Sequence, residues 1–336
     1  MKKRVEWIDT LRGVAMFFVV LGHAFVNKKN IIRNYIYSFH MPLFFFISGL
    51  TTKRKDIKFS DYLKKKIKAI LVPYICINLF MLIFKFIMNY SLGMYSSLNI
   101  MMALEYFVKG YSDFIPCIQS WFLLALFIMD IIFFILTKIT KNDIELTIGV
   151  ILLFILGYLY SRTNYTFLVY WHFDTALVGL IFYYGGYIFM KFIDKINIML
   201  ENYKSLFLIL ITFPLGYYLQ YLNGRVSMNA NNYNNVYLFL TSSFITIFSL
   251  IIFVNLVLKK DKLFKGVGMM SIFYLGYHSC LLTPIKQFWK VMFSNNILTI
   301  ITSFIVFLIL YPISKICLKY VPILAGKFKE KTVIKQ

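Results

Sequence analysis

The fold class the sequence predicts is all-α: a polytopic membrane protein with about ten transmembrane helices. Three observations carry that reading. Sixty per cent of the residues are hydrophobic and only 15% are charged, with a mean hydropathy of +0.72, whereas a soluble domain is roughly half apolar. Apolar runs of about 20 residues recur from end to end, each long enough to cross a hydrocarbon core of about 30 Å. The basic residues alternate between successive connections, as they do when a chain weaves through a bilayer.

The first span, 5–26, follows Lys2, Lys3 and Arg4 and superficially resembles a signal peptide. Glu6, Asp9 and Arg12 interrupt its apolar region and no small-x-small cleavage site follows, so it reads as retained. The second, 35–50, carries His40 just before Met41-Pro42, and the third, 67–88, follows a basic loop. Between 89 and 117 a short amphipathic piece, 98–108, carries Glu105; it is too short to span and reads as interfacial. The remaining spans are 118–137, 144–160, 172–193, 206–222, 236–257, 269–289 and 297–317. No second globular domain fits beside them. Cys76, Cys117, Cys280 and Cys317 show neither a CxxC pair nor ligand spacing, so neither a disulfide framework nor a metal site is expected.

With an inside N-terminus, about 26 of the 36 Lys and Arg fall on the inner side and about 7 on the outer, while Arg12, Lys85 and Lys286 lie within spans. This is the positive-inside bias with both termini cytoplasmic. The net charge of +22 is therefore an orientation signal and a contact for anionic membrane lipid. It does not mark a nucleic-acid partner.

Ionisable groups inside a bilayer cost about 2.5–3.5 kcal/mol each on insertion scales. Asp9, Arg12, His23, His40, Asp130, His172, Asp174 and His278 are the ones to explain. Lys85 and Lys286 lie near helix ends, where a long side chain snorkels, and read as structural. Arg12 and His23 are 11 residues apart, about 20° around a helix and roughly 16 Å along it. Asp9 shares their face. The bland reading is that Asp9 and Arg12 end the helix at the interface and His23 caps it. His40 weakens that reading, because a short loop returns it to the depth of His23. No carboxylate or thiol completes a metal ligand set at that level.

These residues carry a resemblance. Asp9-Thr10-Leu11-Arg12-Gly13 with Leu21-Gly22-His23 resembles the first-helix signature of the acyltransferase-3 family of membrane O-acyltransferases. Phe39-His40-Met41-Pro42 through Ser48-Gly49 looks like its second-helix motif, and Leu71-Val72-Pro73-Tyr74 like the start of its third helix. Trp121-Phe122-Leu123, Phe173-Asp174-Thr175 with Gly185-Gly186, and Ser271 through His278 are similar to later motifs. The similarity covers nearly the whole chain, and its flavour is the fucose-4-O-acetylase-like group.

The resemblance implies a multi-pass enzyme of the bacterial cytoplasmic membrane. It would move an acetyl group from acetyl-CoA, a co-substrate, to a hydroxyl of an envelope carbohydrate, free or lipid-linked. Some members carry a fused extracytoplasmic domain. This chain ends about 19 residues after its last span, so the expectation is direct transfer, or completion by a separate glycan-processing partner. The catalytic set expected is His23 as general base, His40 in support, and Asp9 pairing with or holding Arg12. Arg12, with Lys53 and Arg54 (and more weakly Lys55 and Lys58), would meet the phosphates of the donor; the loop residues belong to the orientation signal in any case. His278, Asp174 and Trp121 are the acceptor-side candidates, His278 and Asp174 being equally readable as interhelical hydrogen-bond partners. His172 beside Trp171 fits an aromatic belt, and Asp130 matches no motif.

Two rival classes remain at this stage. A transporter or flippase of a lipid-linked sugar would use Arg12, His23 and Asp174 as a path, but no two-fold internal repeat is visible between the halves. An envelope polysaccharide polymerase would usually need a larger outer loop than the longest one here, 89–117.

Overall fold

The computed structural model describes residues 6–54, 56–92, 100–111, 115–163, 170–194, 196, 202–289 and 295–325. Among them ten helices reach 18 residues or more. These are α1 (Glu6–Ala24), α2 (Ile31–Leu50), α4 (Val72–Leu92), α6 (Trp121–Ile139), α7 (Asp143–Ser161), α8 (Phe173–Lys191), α9 (Leu206–Asn223), α10 (Val236–Leu256), α12 (Ser271–Phe288) and α13 (Asn296–Tyr320). Shorter helices are α3 (Phe59–Lys66), α5 (Ile100–Lys109) and α11 (Lys262–Met269). Eight segments are long and apolar enough to cross a membrane. The two long helices outside that set, α2 and α12, carry Arg33 with His40 and Lys286 with His278. Each of these two helices thus brings a cation and a histidine into the bundle.

Local sequence sets the helix ends. Asn30, Asn142, Asn235, Asp261 and Asn295 each accept a backbone N–H in the first turn of the following helix, a cap contributing about 1 kcal/mol. Asn142 is reinforced by Glu145, which accepts from the backbone N–H of Lys141 at 2.8 Å. Pro73 cannot donate to a carbonyl four residues back, and α3 runs into α4 through a π turn, Ile67–Leu71.

Position in the bundle follows composition. In α1, 78% of the membrane-length window is buried inside the protein, against 17% for α7 and α9. The latter two show rows of exposed Leu and Ile, such as Ile148, Leu152, Ile155 and Leu159 on α7, as a lipid-facing helix must. Close crossings hold the centre together. A Cβ at Gly13 or Gly268 would overlap the carbonyl of Phe264 or Asp9, and one at Gly49 or Gly186 that of Tyr183 or Phe46. Small residues therefore seat α1 on α11 and α2 on α8, backbone to backbone.

Three sequence expectations change. The second span begins at Ile31 rather than 35, capped by Asn30, which brings Arg33 onto the helix. The ninth keeps its bounds to within two residues (Ser271–Phe288), but the connection before it, read as a loop, folds as a separate helix, α11, that ends at Met269 and packs on α1. Asp130, which matched no motif, is a buried junction: its carboxylate accepts from Tyr183 Oη at 2.5 Å and Lys66 Nζ at 2.6 Å, tying α3, α6 and α8 together.

Candidate active site

α1 carries one polar group at each end of its buried face. At the Arg12 end, the guanidinium donates to Asp9 Oδ1 at 3.1 Å, one turn back. A cavity of about 250 Å³ opens beside it, lined by Arg12, Met16, Ser48, Phe122, Ser271 and Leu275, among others. Toward the other end of α1, Val19 and His23 line a second cavity of about 340 Å³. Leu275 is common to both linings. A wider groove, about 800 Å³, continues from His23, Arg33 and Tyr37 to Asn30, Lys286 and Asn296.

The His23 end gathers residues from many places. The His23 ring lies 5.3 Å from that of His278 and 5.9 Å from that of Tyr37, which in turn is 4.9 Å from His40. His40 Nδ1 is bonded to the Ile36 carbonyl at 2.7 Å, and His278 Nδ1 to that of Tyr274 at 2.8 Å. A carbonyl only accepts, so in both rings Nδ1 is the donor and the neutral ring presents the Nε2 lone pair. His278 Nε2 is buried with no hydrogen-bond partner. His23 is oriented differently: its Nδ1 faces Tyr37 Oη at 3.3 Å, and Lys286 Nζ donates to its backbone carbonyl. In the tautomer where the Tyr37 oxygen accepts from Nδ1–H, Nε2 of His23 carries the lone pair. Among the described residues no group of three His, Cys, Asp or Glu is placed to hold a metal.

Several expected residues meet here. His23, His40 and Trp121 line the second cavity, with Gln119, Arg33 and Arg225. His278 lies against His23. Asp9 does not join them: it is 14 residues from His23 on a continuous helix, about 21 Å along the axis. Its carboxylate instead pairs with Arg12, the partner expected of it. The Arg54 guanidinium donates to the carbonyls of Thr140 and Asn142 in the α6–α7 turn and lines none of the three cavities. Lys53 is exposed and lines none of the three cavities, and Lys55 lies outside the described residues.

Asp174 accepts from the backbone N–H of Thr175 at the start of α8 and lines none of these cavities. His172 is buried against Trp121, at 5.2 Å, rather than sitting in an aromatic belt. Lys286, read as a snorkelling residue, belongs to the site.

Arg33, Tyr37, Gln119 and Arg225 were missed. A signal existed for two of them: Asn30 is a capping residue, and a helix begun there places Arg33, Tyr37 and His40 at i, i+4 and i+7, on one face. Nothing local marks Arg225, which reaches the cavity from the 224–235 connection.

The model of one protein family, described as an acyltransferase domain, matches residues 5–315. No curated protein and no solved structure matches the chain.

Proposed function

Because the chain belongs to the acyltransferase-3 family, we propose that it is a membrane O-acetyltransferase that carries an acetyl group from acetyl-CoA to a hydroxyl of an envelope carbohydrate. The observation that supports this most is the pair of cavities sharing Leu275, with an arginine at one end and a histidine cluster at the other. On the orientation given by the basic-charge bias, Arg12 faces the cytoplasm. It holds the phosphates of the donor with a fork of donors whose charge does not titrate away, and Asp9 fixes its position. The roughly 16 Å to His23 suits an extended pantetheine arm.

At the far end His23 Nε2 takes the proton of the acceptor hydroxyl as its oxygen attacks the thioester carbonyl. The C–S bond then breaks and the proton passes from His23 to the departing thiolate. His40, with Nδ1 tied to Ile36, presents an acceptor atom. It therefore orients acceptor hydroxyls rather than donating to the developing oxyanion. Trp121 and Gln119 supply a wall and an amide for a sugar ring. A separate glycan-processing protein would act downstream of this transfer.

The test is transfer of label from radioactive acetyl-CoA into envelope glycan, in membranes with wild-type protein or His23→Ala at matched abundance. Transfer by the wild type that falls by about 10²–10⁴-fold in the variant is the expected result. Equal transfer by both would leave an acyltransferase with a different base. No transfer by the wild type, with native acceptor present, would favour a transporter of the same glycan.

A further inference from the structure

The residues around the His23 end carry a charge pattern that the transfer chemistry does not use. Lys28, Arg33, Arg225 and Lys286 line the second cavity and its groove, and among the described residues no carboxylate does. Only about seven Lys and Arg fall in the outward connections of the sequence, and Lys28, Arg33 and Arg225 are three of them. The orientation rule depletes that side of positive charge, yet three of the roughly seven that remain line one cavity and its groove.

Arg33 is the centre of the pattern. It is 9% exposed, and its guanidinium carbon lies 4.1 Å from the centroid of the Tyr37 ring. Its Nη1 is buried with no hydrogen-bond partner. Burying a guanidinium without an opposite charge is costly, and the ring face offsets only part of that. Arginine's planar fork matches a carboxylate or phosphate.

We propose that the acceptor is itself anionic, carrying a carboxylate or phosphate oxyanion that seats on Arg33, with Arg225, Lys28 and Lys286 around it. This rests on the acyl-transfer reading and names its acceptor class. The oxyanion anchors the sugar beside the histidine cluster, so that a neighbouring hydroxyl meets His23. A neutral glycan of the same shape would leave the buried Arg33 guanidinium without a counter-charge and bind weakly.

The test uses the native envelope glycan as acceptor in three forms: untreated, carboxyl-reduced, and stripped of phosphate with cold hydrofluoric acid. One of the two treatments should raise the acceptor KM at least tenfold, and which one identifies the source of the charge. Arg33→Gln should weaken the untreated glycan by about tenfold in KM and leave the neutralised glycan unchanged, with Arg33→Lys restoring part of the loss. Transfer indifferent to both treatments overturns the proposal. So does an equal loss of kcat on charged and neutral glycan in Arg33→Gln, which would make Arg33 a holder of the reaction's own oxyanion.

If the untreated glycan takes no label, the acyl-transfer reading fails first, and the anion site is read directly. Purified protein in detergent is titrated with methyl glucuronide, inorganic phosphate and methyl glucoside while its thermal unfolding is followed. Stabilisation by an anion but not by the glucoside, lost in Arg33→Gln and reduced in the more exposed Arg225→Gln, supports the site. No anion-dependent shift overturns it.

Discussion

The two ends of α1 are built on opposite plans. At the Arg12 end the charge is answered locally, by Asp9 one turn away on the same helix. At the His23 end the polar groups come from α1, α2, α12 and the 224–235 connection, and among the described residues no carboxylate lines that cavity or its groove. An end whose charge is already balanced is suited to a ligand that brings its own reach and flexibility. An end with unbalanced charge is shaped for a particular guest. Under the proposed acyl transfer, the donor belongs at the Arg12 end and the acceptor at the His23 end, and substitutions can break that assignment.

The largest expected effect is at the base: His23→Ala should lower kcat by about 10²–10⁴-fold while the donor KM measured in membranes stays near its wild-type value. A donor KM that collapses with it would merge the two ends into one site. Next comes the framework between them. Asp130→Ala removes the acceptor of Tyr183 and Lys66 and should cost roughly 2–3 kcal/mol in detergent-phase stability, less than a fully buried pair because Lys66 keeps some exposure. Unchanged unfolding would mean that the junction is idle.

Arg12→Gln should raise the KM for acetyl-CoA about tenfold, the loss of a charge-assisted hydrogen bond of about 1.5 kcal/mol, with little change in acceptor KM. An effect on the acceptor instead would reverse the assignment of the ends. The smallest effect belongs to Arg54→Ala. Its partners are the carbonyls of the α6–α7 turn, so kinetics should stay at wild type and stability should move by no more than about 1 kcal/mol, as at other exposed polar contacts. A raised donor KM there would return Arg54 to the donor site.

The helical framework was legible because a bilayer forces it: every apolar run of membrane length must close its own hydrogen bonds. Arg12 and His23 were legible for a related reason, since helix geometry alone relates two residues on one continuous segment. The pairing of Asp9 with Arg12 followed from the same spacing. What could not be read was anything depending on how helices turn toward one another. Asp174 matched a motif yet spends its oxygen on the first turn of its own helix, whereas Lys286 looked like an interfacial lysine and came to rest on the carbonyl of His23. Arg33 lies two residues outside the apolar span at 35–50, because an apolar run marks where a helix is greasy rather than where its cap begins.

The glycine crossings bear on how the path between the ends can be opened. Gly13 and Gly268 leave no slack between α1 and α11, and Gly49 and Gly186 leave none between α2 and α8. The wall bearing His23 and His40 is thereby a fixed jaw. α12 is attached differently: Met270 separates it from α11, and its own Gly276 meets the side chain of Ile77 rather than a backbone atom. Leu275, the residue common to both chambers, rides on that looser helix. Bulk added at Leu275 would therefore intrude on both cavities at once, from the helix that the backbone-to-backbone glycine crossings do not hold.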